Sequence, residues 1–142
     1  MPSLFDSSVY ISALRAGDEA GLVLQRWARE TPLWLSSVVL EELYAGAARS
    51  DYRIIEKLER DFERARRVLV PSLGDWAQAG KVLGRLAEKY GYEQIGRARL
   101  TNDALIATSA GRAGIAVVTV NRRDFGRVAE FCPFEWQARS IP

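Results

Sequence analysis

An α/β sandwich around a mainly parallel sheet is the fold class this chain predicts, and three observations predict it. Short apolar runs alternate with stretches of helical periodicity, and parallel strands need crossovers of about that helical length. The clearest run, Ile115 to Val120 (IAVVTV), is β-branched and uncharged, as expected of a strand covered on both faces. The chain has 142 residues, 48% of them hydrophobic, which suits one domain with a real core, and residues 1–142 read as a single unit.

Leu4-Phe5, then Asp6-Ser7-Ser8, then Val9, Tyr10, Ile11, Ala13 and Leu14 read as strand, turn, helix. Asp6 thereby ends the first strand, and Ser7 or Ser8 is left to cap the helix. A second helix is expected over residues 18–30, with Leu22, Val23 and Trp27 on its apolar side. Thr31-Pro32 stops it, because proline disfavours the helical region for the residue before it. Residues 33–37 (LWLSS) form a second strand, followed by a helix from Val38 to about Ala48.

Residues 51–68 carry Ile54, Ile55, Leu58, Phe62 and Ala65 at helical spacing, with Glu56–Arg60 and Glu63–Arg67 as i,i+4 pairs. After Leu69-Val70-Pro71 another helix begins near Ser72. It places Trp76, Ala79, Leu83, Leu86 and Tyr90 on one face and ends at Gly91. The polar stretch from Tyr90 to Leu100 holds two glycines and is expected to be a loop. Thr101-Asn102-Asp103 opens a buried helix that Gly111 or Gly114 ends, and a final short strand is expected near Phe134 to Trp136.

Composition removes several function classes. The longest uncharged stretches, such as residues 31–40 (TPLWLSSVVL), fall short of the roughly 20 residues a membrane span needs. No basic-then-apolar signal opens the chain, so a cytoplasmic location is expected. A single cysteine, Cys132, permits neither an internal disulfide nor a multi-cysteine zinc site. The absence of histidine removes Ser-His-Asp and Cys-His catalysis, paired-histidine ribonuclease chemistry and His-rich zinc sites. Chemistry here runs on carboxylates, Lys, Tyr or a metal held by oxygen. A net charge of +2 does not announce nucleic acid, although most cations are arginine, whose planar fork suits phosphate.

In open parallel sheets, ligands bind beyond the carboxyl ends of the strands. Asp6 ends the first strand, Glu42 lies about a turn into the helix after the second, Asp103 opens the helix before IAVVTV, and Asp124 follows that strand's exit. Each has a plainer role open to it: Asp6 and Asp103 as helix caps, Glu42 as a solvated helix residue, Asp124 as a turn or cap residue. Brought together, the four would repel unless a cation offset them. With neither histidine nor a cysteine pair, the donors are hard oxygens, which select Mg²⁺ or Mn²⁺.

Four segments, "LFDSSVYISAL", "SSVVLEELYAGA", "DALIATSA" and "VVTVNRRDF", resemble in order and spacing the four acidic motifs of the PIN domain, most closely in VapC-type toxins of toxin–antitoxin pairs. The resemblance covers nearly the whole chain. It implies a three-layer α/β/α sandwich, a Mg²⁺- or Mn²⁺-dependent ribonuclease acting on RNA, a homodimer, and a small VapB-type antitoxin whose tail lies in the active-site groove. Asp6 and Asp103 match the first and third acids, implied to hold the metal, and Glu42 the second, with Asp124 as the less constant fourth. Glu42 rather than Glu41 fits because Glu42-Leu43-Tyr44-Ala45-Gly46 carries the Glu-Leu-x-x-Gly pattern. Thr119 and Asn121 match polar companions of the fourth motif, and Ser7 or Ser8 a hydroxyl beside the first acid. Val39 stands where the family often has threonine.

Two readings from other classes stay open. One is a catalytically silent PIN-like scaffold that binds RNA or protein. The other is a phosphoacceptor signalling domain, which usually opens with adjacent acids and carries a lysine beyond its last strands; this chain has Asp6-Ser7 and no lysine after Lys89. The stretch Gly74 to Lys81 (GDWAQAGK) superficially matches a phosphate-binding loop, but its glycines are one residue too far apart and Val82 replaces the Ser or Thr that would bind Mg²⁺. Arg122 and Arg123 beside Asp124 could meet RNA phosphates or an antitoxin carboxylate, or form an exposed structural pair.

Overall fold

The computed structural model describes residues 1–16, 26–27 and 29–139. Its elements run β1 (Ser3–Phe5), α1 (Ser7–Ala16), β2 (Leu33–Ser36), α2 (Ser37–Gly46), a 3₁₀ turn (Arg49–Asp51), α3 (Tyr52–Ala65), β3 (Val68–Leu69), α4 (Leu73–Tyr90), α5 (Tyr92–Ala98), α6 (Thr101–Ala113), β4 (Ala116–Thr119), α7 (Arg122–Ala129) and β5 (Trp136–Ala138). The strands form one five-stranded sheet in the order β3-β2-β1-β4-β5, and every pairing is parallel. Successive residues of a strand face opposite sides of a sheet. Leu4 and Phe5, like Val117, Val118 and Thr119, are all buried, so helices cover both faces and the α/β/α class holds.

The order of the strands fixes where a ligand can sit. The chain winds outward from β1 through β2 to β3, then crosses back to place β4 on the other side of β1. Neighbouring connections therefore leave β1 and β4 in opposite directions, opening a crevice at their carboxyl ends. Register brings Phe5 beside Val118, and the Asp6 amide donates to the Val118 carbonyl at 3.0 Å. Asp6 and Thr119 are thus set side by side at that crevice.

Several local expectations change. Tyr92–Ala98 is a helix, not a loop. Ile95 anchors it in a second apolar cluster with Val82, Leu86, Leu100, Ala107, Val128 and Cys132, so one buried side chain and tertiary packing override a polar, glycine-containing sequence. The two-residue β3 is a strand the periodicity does not reveal, because it is too short to show a period. The last strand lies at Trp136–Ala138, two residues later than expected. Trp76 is 56% exposed, while Asp75, Ala79, Val82, Leu86 and Ala87 form the buried face of α4.

Other details are matters of capping and pairing. The 33–37 strand ends at Ser36, whose hydroxyl accepts from the Val38 amide and caps α2. On α3 the ion pair is Lys57–Asp61, and Arg67 lies beyond the helix end. Gly114, at φ 70°, ends α6, the left-handed position at which glycine is favoured. The start of the expected 18–30 helix, with Leu22 and Val23, lies outside the described residues; residues 26, 27, 29 and 30 are helical. Trp27 packs on the Phe5 ring, centroids 5.2 Å apart.

Candidate active site

Asp6 is the most enclosed of the four acids, 4% exposed, directly after β1 and before α1. Each of its oxygens has a designated donor. The Ser8 hydroxyl donates to Oδ1, and the Thr119 hydroxyl donates to Oδ2 at 2.8 Å. Those hydroxyls are themselves held: the Val120 amide donates to Ser8 Oγ at 3.2 Å and the Asn121 amide to Thr119 Oγ1 at 2.8 Å. The end of β4 and the start of α1 therefore grip one carboxylate from two sides. Burial pushes the Asp6 carboxyl upward, opposed by the hydroxyls of Ser8 and Thr119 and the amides of Val9 and Ser8. Asp6 directly precedes α1 and its carbonyl accepts from the Val9 amide at 3.2 Å, so it stands at the N-cap position, one of the roles the sequence left open to it.

Asp124 is fixed by a reciprocal pair with Asn121, the N-cap of α7. The Asp124 amide donates to Asn121 Oδ1 at 3.2 Å, and Asn121 Nδ2 donates to Asp124 Oδ2 at 2.9 Å. Asn121 is thus more than a polar companion: it orients the fourth acid. Thr119, as the last residue of β4, links the two ends of this chain of hydrogen bonds.

Asp103 lies in the first turn of α6, whose cap residue is Leu100 and has no side-chain cap bond. Its expected capping role is therefore absent. Its carboxyl is pushed up to about 8, first by burial and then by the charges of Glu42, Asp6 and Asp124. The charges of the other three sequence-predicted acids thus all act on Asp103. Glu42 is raised as well, by burial first and by the charges of Asp6 and Glu41, with Asn102 and Ser7 pulling the other way. Its Oε1 is buried and, among the described residues, accepts no hydrogen bond.

The neighbouring acid, Glu41, is exposed and takes a bond from Asn102 Nδ2 at 3.2 Å. The separation of these adjacent residues follows from the roughly 100° between successive helix positions. Asn102 is a site residue the sequence did not single out, and Ser8 was named there only as the alternative to Ser7. Asn102 sits next to Asp103, which was its only signal, and Ser7 and Ser8 are separable only once the helix phase is known.

The donor set fits a hard divalent cation. An orphaned carboxylate oxygen on Glu42 and a raised Asp103 are both relieved by positive charge. Among the described residues, no three Asp, Glu or Cys side chains enclose a metal position by themselves. A partly hydrated Mg²⁺ held by one or two carboxylates does not require such a cage. The GDWAQAGK stretch contributes nothing here. It lies in the first turns of α4, where Asp75 forms a capping box with Ser72 and pairs with Arg112.

The profile of the PIN domain matches residues 3–131. The chain belongs to the PIN domain family. No curated protein matches it by sequence. Among solved structures, this PIN domain is similar to a chain of the DNA-bound VapBC of Salmonella typhimurium at 22% identity, covering 97% of this chain and 98% of that one, with a TM-score of 0.68. A chain of VapBC2 from Rickettsia felis, bound to a fragment of promoter DNA, is 22% identical over 99% and 100% of the two chains, with a TM-score of 0.62. A chain of VapBC-1 from nontypeable Haemophilus influenzae gives 22%, 97% and 98%, and 0.64. At these identities the likeness speaks to the fold, and the PIN architecture extends over nearly the whole chain.

Proposed function

We propose that this PIN domain is a metal-dependent ribonuclease, the toxin of a VapBC-type pair, acting as a single domain on RNA phosphodiesters. The observation that supports the reading is that the charges of Glu42, Asp6 and Asp124 all bear on the buried Asp103 carboxyl, on a chain with no histidine to do acid–base work in their place. Fold alone would not carry it, since one fold hosts many functions. The toxin assignment and its partner, a small VapB-type antitoxin, rest on the likeness to chains of VapBC complexes and on the motif resemblance. The same resemblance supports a homodimer working in the cytoplasm.

Asp6 and Asp103 are the residues to hold Mg²⁺ or Mn²⁺, with Glu42 and Asp124 completing the acidic wall. An ion held by these carboxylates would supply a lowered pKa to a water and positive charge to offset that on the phosphate oxygens. Ser8 and Thr119 keep both Asp6 oxygens in fixed directions, so little reorganisation is left for the reaction itself. Asn121 does the same for Asp124. Glu42, buried on one oxygen and carrying an acceptor without a donor, is placed to orient a water.

The test is cleavage of a mixed-sequence RNA by the purified, partner-free protein in Mn²⁺, with Asp6→Asn and Asp103→Asn as variants. Cleavage by the wild type, reduced by at least about a hundredfold in both variants, is expected. Undiminished cleavage in both overturns the site, and an inert wild type favours the silent scaffold.

A further inference from the structure

Beyond the acids, α5 and α7 face each other across a concavity of about 370 Å³ lined by Gln94, Arg97, Ala98, Arg123, Asp124 and Arg127. Gln94 and Arg97 stand three apart on one helix, and Arg123 and Arg127 four apart on the other, so each helix turns one face to the space between them. Three arginines thus line the same concavity as Asp124, the acid that Asn121 fixes at the edge of the candidate active site.

The arginines are only partly neutralised. Arg97 pairs with Glu93 on its own helix, with both side chains well exposed, an arrangement that holds the charge weakly. Arg127 lies over the Tyr90 ring, 4.8 Å from its centroid, and lowers the Glu130 carboxyl through its charge, while among the described residues its buried Nη1 has no hydrogen-bond acceptor. Arg127 is nonetheless among the residues that line the concavity, so its positive charge adds to that of Arg97 and Arg123 there. Glu130 does not supply that acceptor among the observed bonds; it is engaged by Lys89 and Tyr90. Arg123 is exposed at the mouth.

We infer that this concavity is a backbone subsite of the RNA strand, in which Arg97, Arg123 and Arg127 take a phosphate flanking the one positioned at the acids. The inference rests on the ribonuclease reading for its substrate. A phosphate is favoured over a protein carboxylate because three forked donors around one space suit an oxyanion with several acceptors. The subsite also accounts for α5. A short polar helix with one buried anchor adds little core, but it supplies one of the two arginine-bearing walls.

The test measures binding, so it does not depend on turnover. A fluorescent single-stranded RNA of mixed sequence is titrated against the Asp103→Asn protein across a range of salt, and against the same protein carrying Arg123→Gln and Arg127→Gln. Affinity is expected to fall about tenfold or more. The slope of log K against log salt is expected to flatten by about 0.7 for each phosphate that the substitutions leave without its arginine. Arg127→Lys should keep the slope and lower the affinity in part, since it retains the charge without the fork.

Arg97→Gln and Arg123→Gln lie on exposed side chains and provide the same reading should Arg127 variants fail to fold. Unchanged affinity and slope in folded variants overturn the inference. So does loss of binding to an oligoglutamate peptide with RNA affinity intact, which would assign the arginines to an acidic protein segment. Absence of RNA cleavage by the wild type would sink the ribonuclease reading, while the salt slope would still decide the subsite.

Discussion

Thr119 shows how much one residue can carry. It is fully buried at the end of β4, donates to Asp6 and accepts from the Asn121 amide. Replacing it with valine keeps the volume and deletes both bonds, leaving a buried carboxylate oxygen and a buried amide each short of a partner. Thr119→Val is expected to weaken Mg²⁺ or Mn²⁺ activation about 10- to 100-fold, with Thr119→Ser restoring most of it. A metal titration of cleavage checks this, and a valine variant with a wild-type midpoint would show that Ser8 alone holds Asp6. The four acids were singled out in the sequence by their expected placement along the carboxyl edge of the sheet together with the motif resemblance, and Thr119 by the resemblance alone. What was not legible is the division of labour between neighbours. Ser7 against Ser8 depends on helix phase, which a shift of one residue changes by about 100°, whereas the Glu-Leu-x-x-Gly pattern had already separated Glu42 from Glu41.

At the scale of elements, α4 and α6 are joined by an ion pair that the sequence hides. Asp75, which looked like part of a failed phosphate loop, is buried and receives Arg112 Nε on both oxygens, at 3.0 and 2.9 Å. Burial alone would raise its carboxyl, but Arg112 and the Ser72 cap outweigh this and hold it below the usual value of 3.8. An acid with a depressed folded value contributes stability above its unfolded value, and loses it as pH falls through the folded one. Arg112→Gln is therefore expected to cost about 1–2 kcal/mol at neutral pH, trimmed because the guanidinium is half-exposed. The gap from wild type should close as the pH drops below about 4. Thermal melts across pH check this; a gap that stays constant into acid would show that Arg112 acts through packing alone. Gly111 makes a similar point. The sequence offered it as a helix terminator, but its role is close approach: a Cβ there would meet the Pro133 carbonyl at 2.6 Å, so the glycine lets α6 near the segment before β5. Long helices and the central strand were readable from period and composition. β3 and α5 were not, because two residues carry no period and Ile95 alone cannot outweigh a polar, glycine-containing segment before its neighbours are known.

For the molecule as a whole, the candidate site is a source of instability that the rest of the fold offsets. Burial first, and then the charges of Glu42, Asp6 and Asp124, push the Asp103 carboxyl up to about 8 from an ordinary 3.8. The sign of its pH dependence follows directly. Between those two values the folded, metal-free protein keeps the Asp103 proton while the unfolded chain has released it, so the folded state binds more protons. Stability must then fall as pH rises through that window and level off above it. Asp103→Asn removes both the titration and one of the converging charges. In EDTA the variant is expected to melt above the wild type, by an excess that grows from mildly acidic pH toward pH 8, at about 2–4 °C for each kcal/mol relieved. Added Mg²⁺ should reverse the order, because a cation that binds only the folded state stabilises the wild type by mass action and finds one fewer carboxylate in the variant. Scanning fluorimetry with and without Mg²⁺ reads both effects without any RNA. A variant no more stable than wild type at pH 8 in EDTA would show that the acids are too far apart to repel. A variant that gains as much from Mg²⁺ as the wild type would remove Asp103 from the ligand set while leaving the fold untouched.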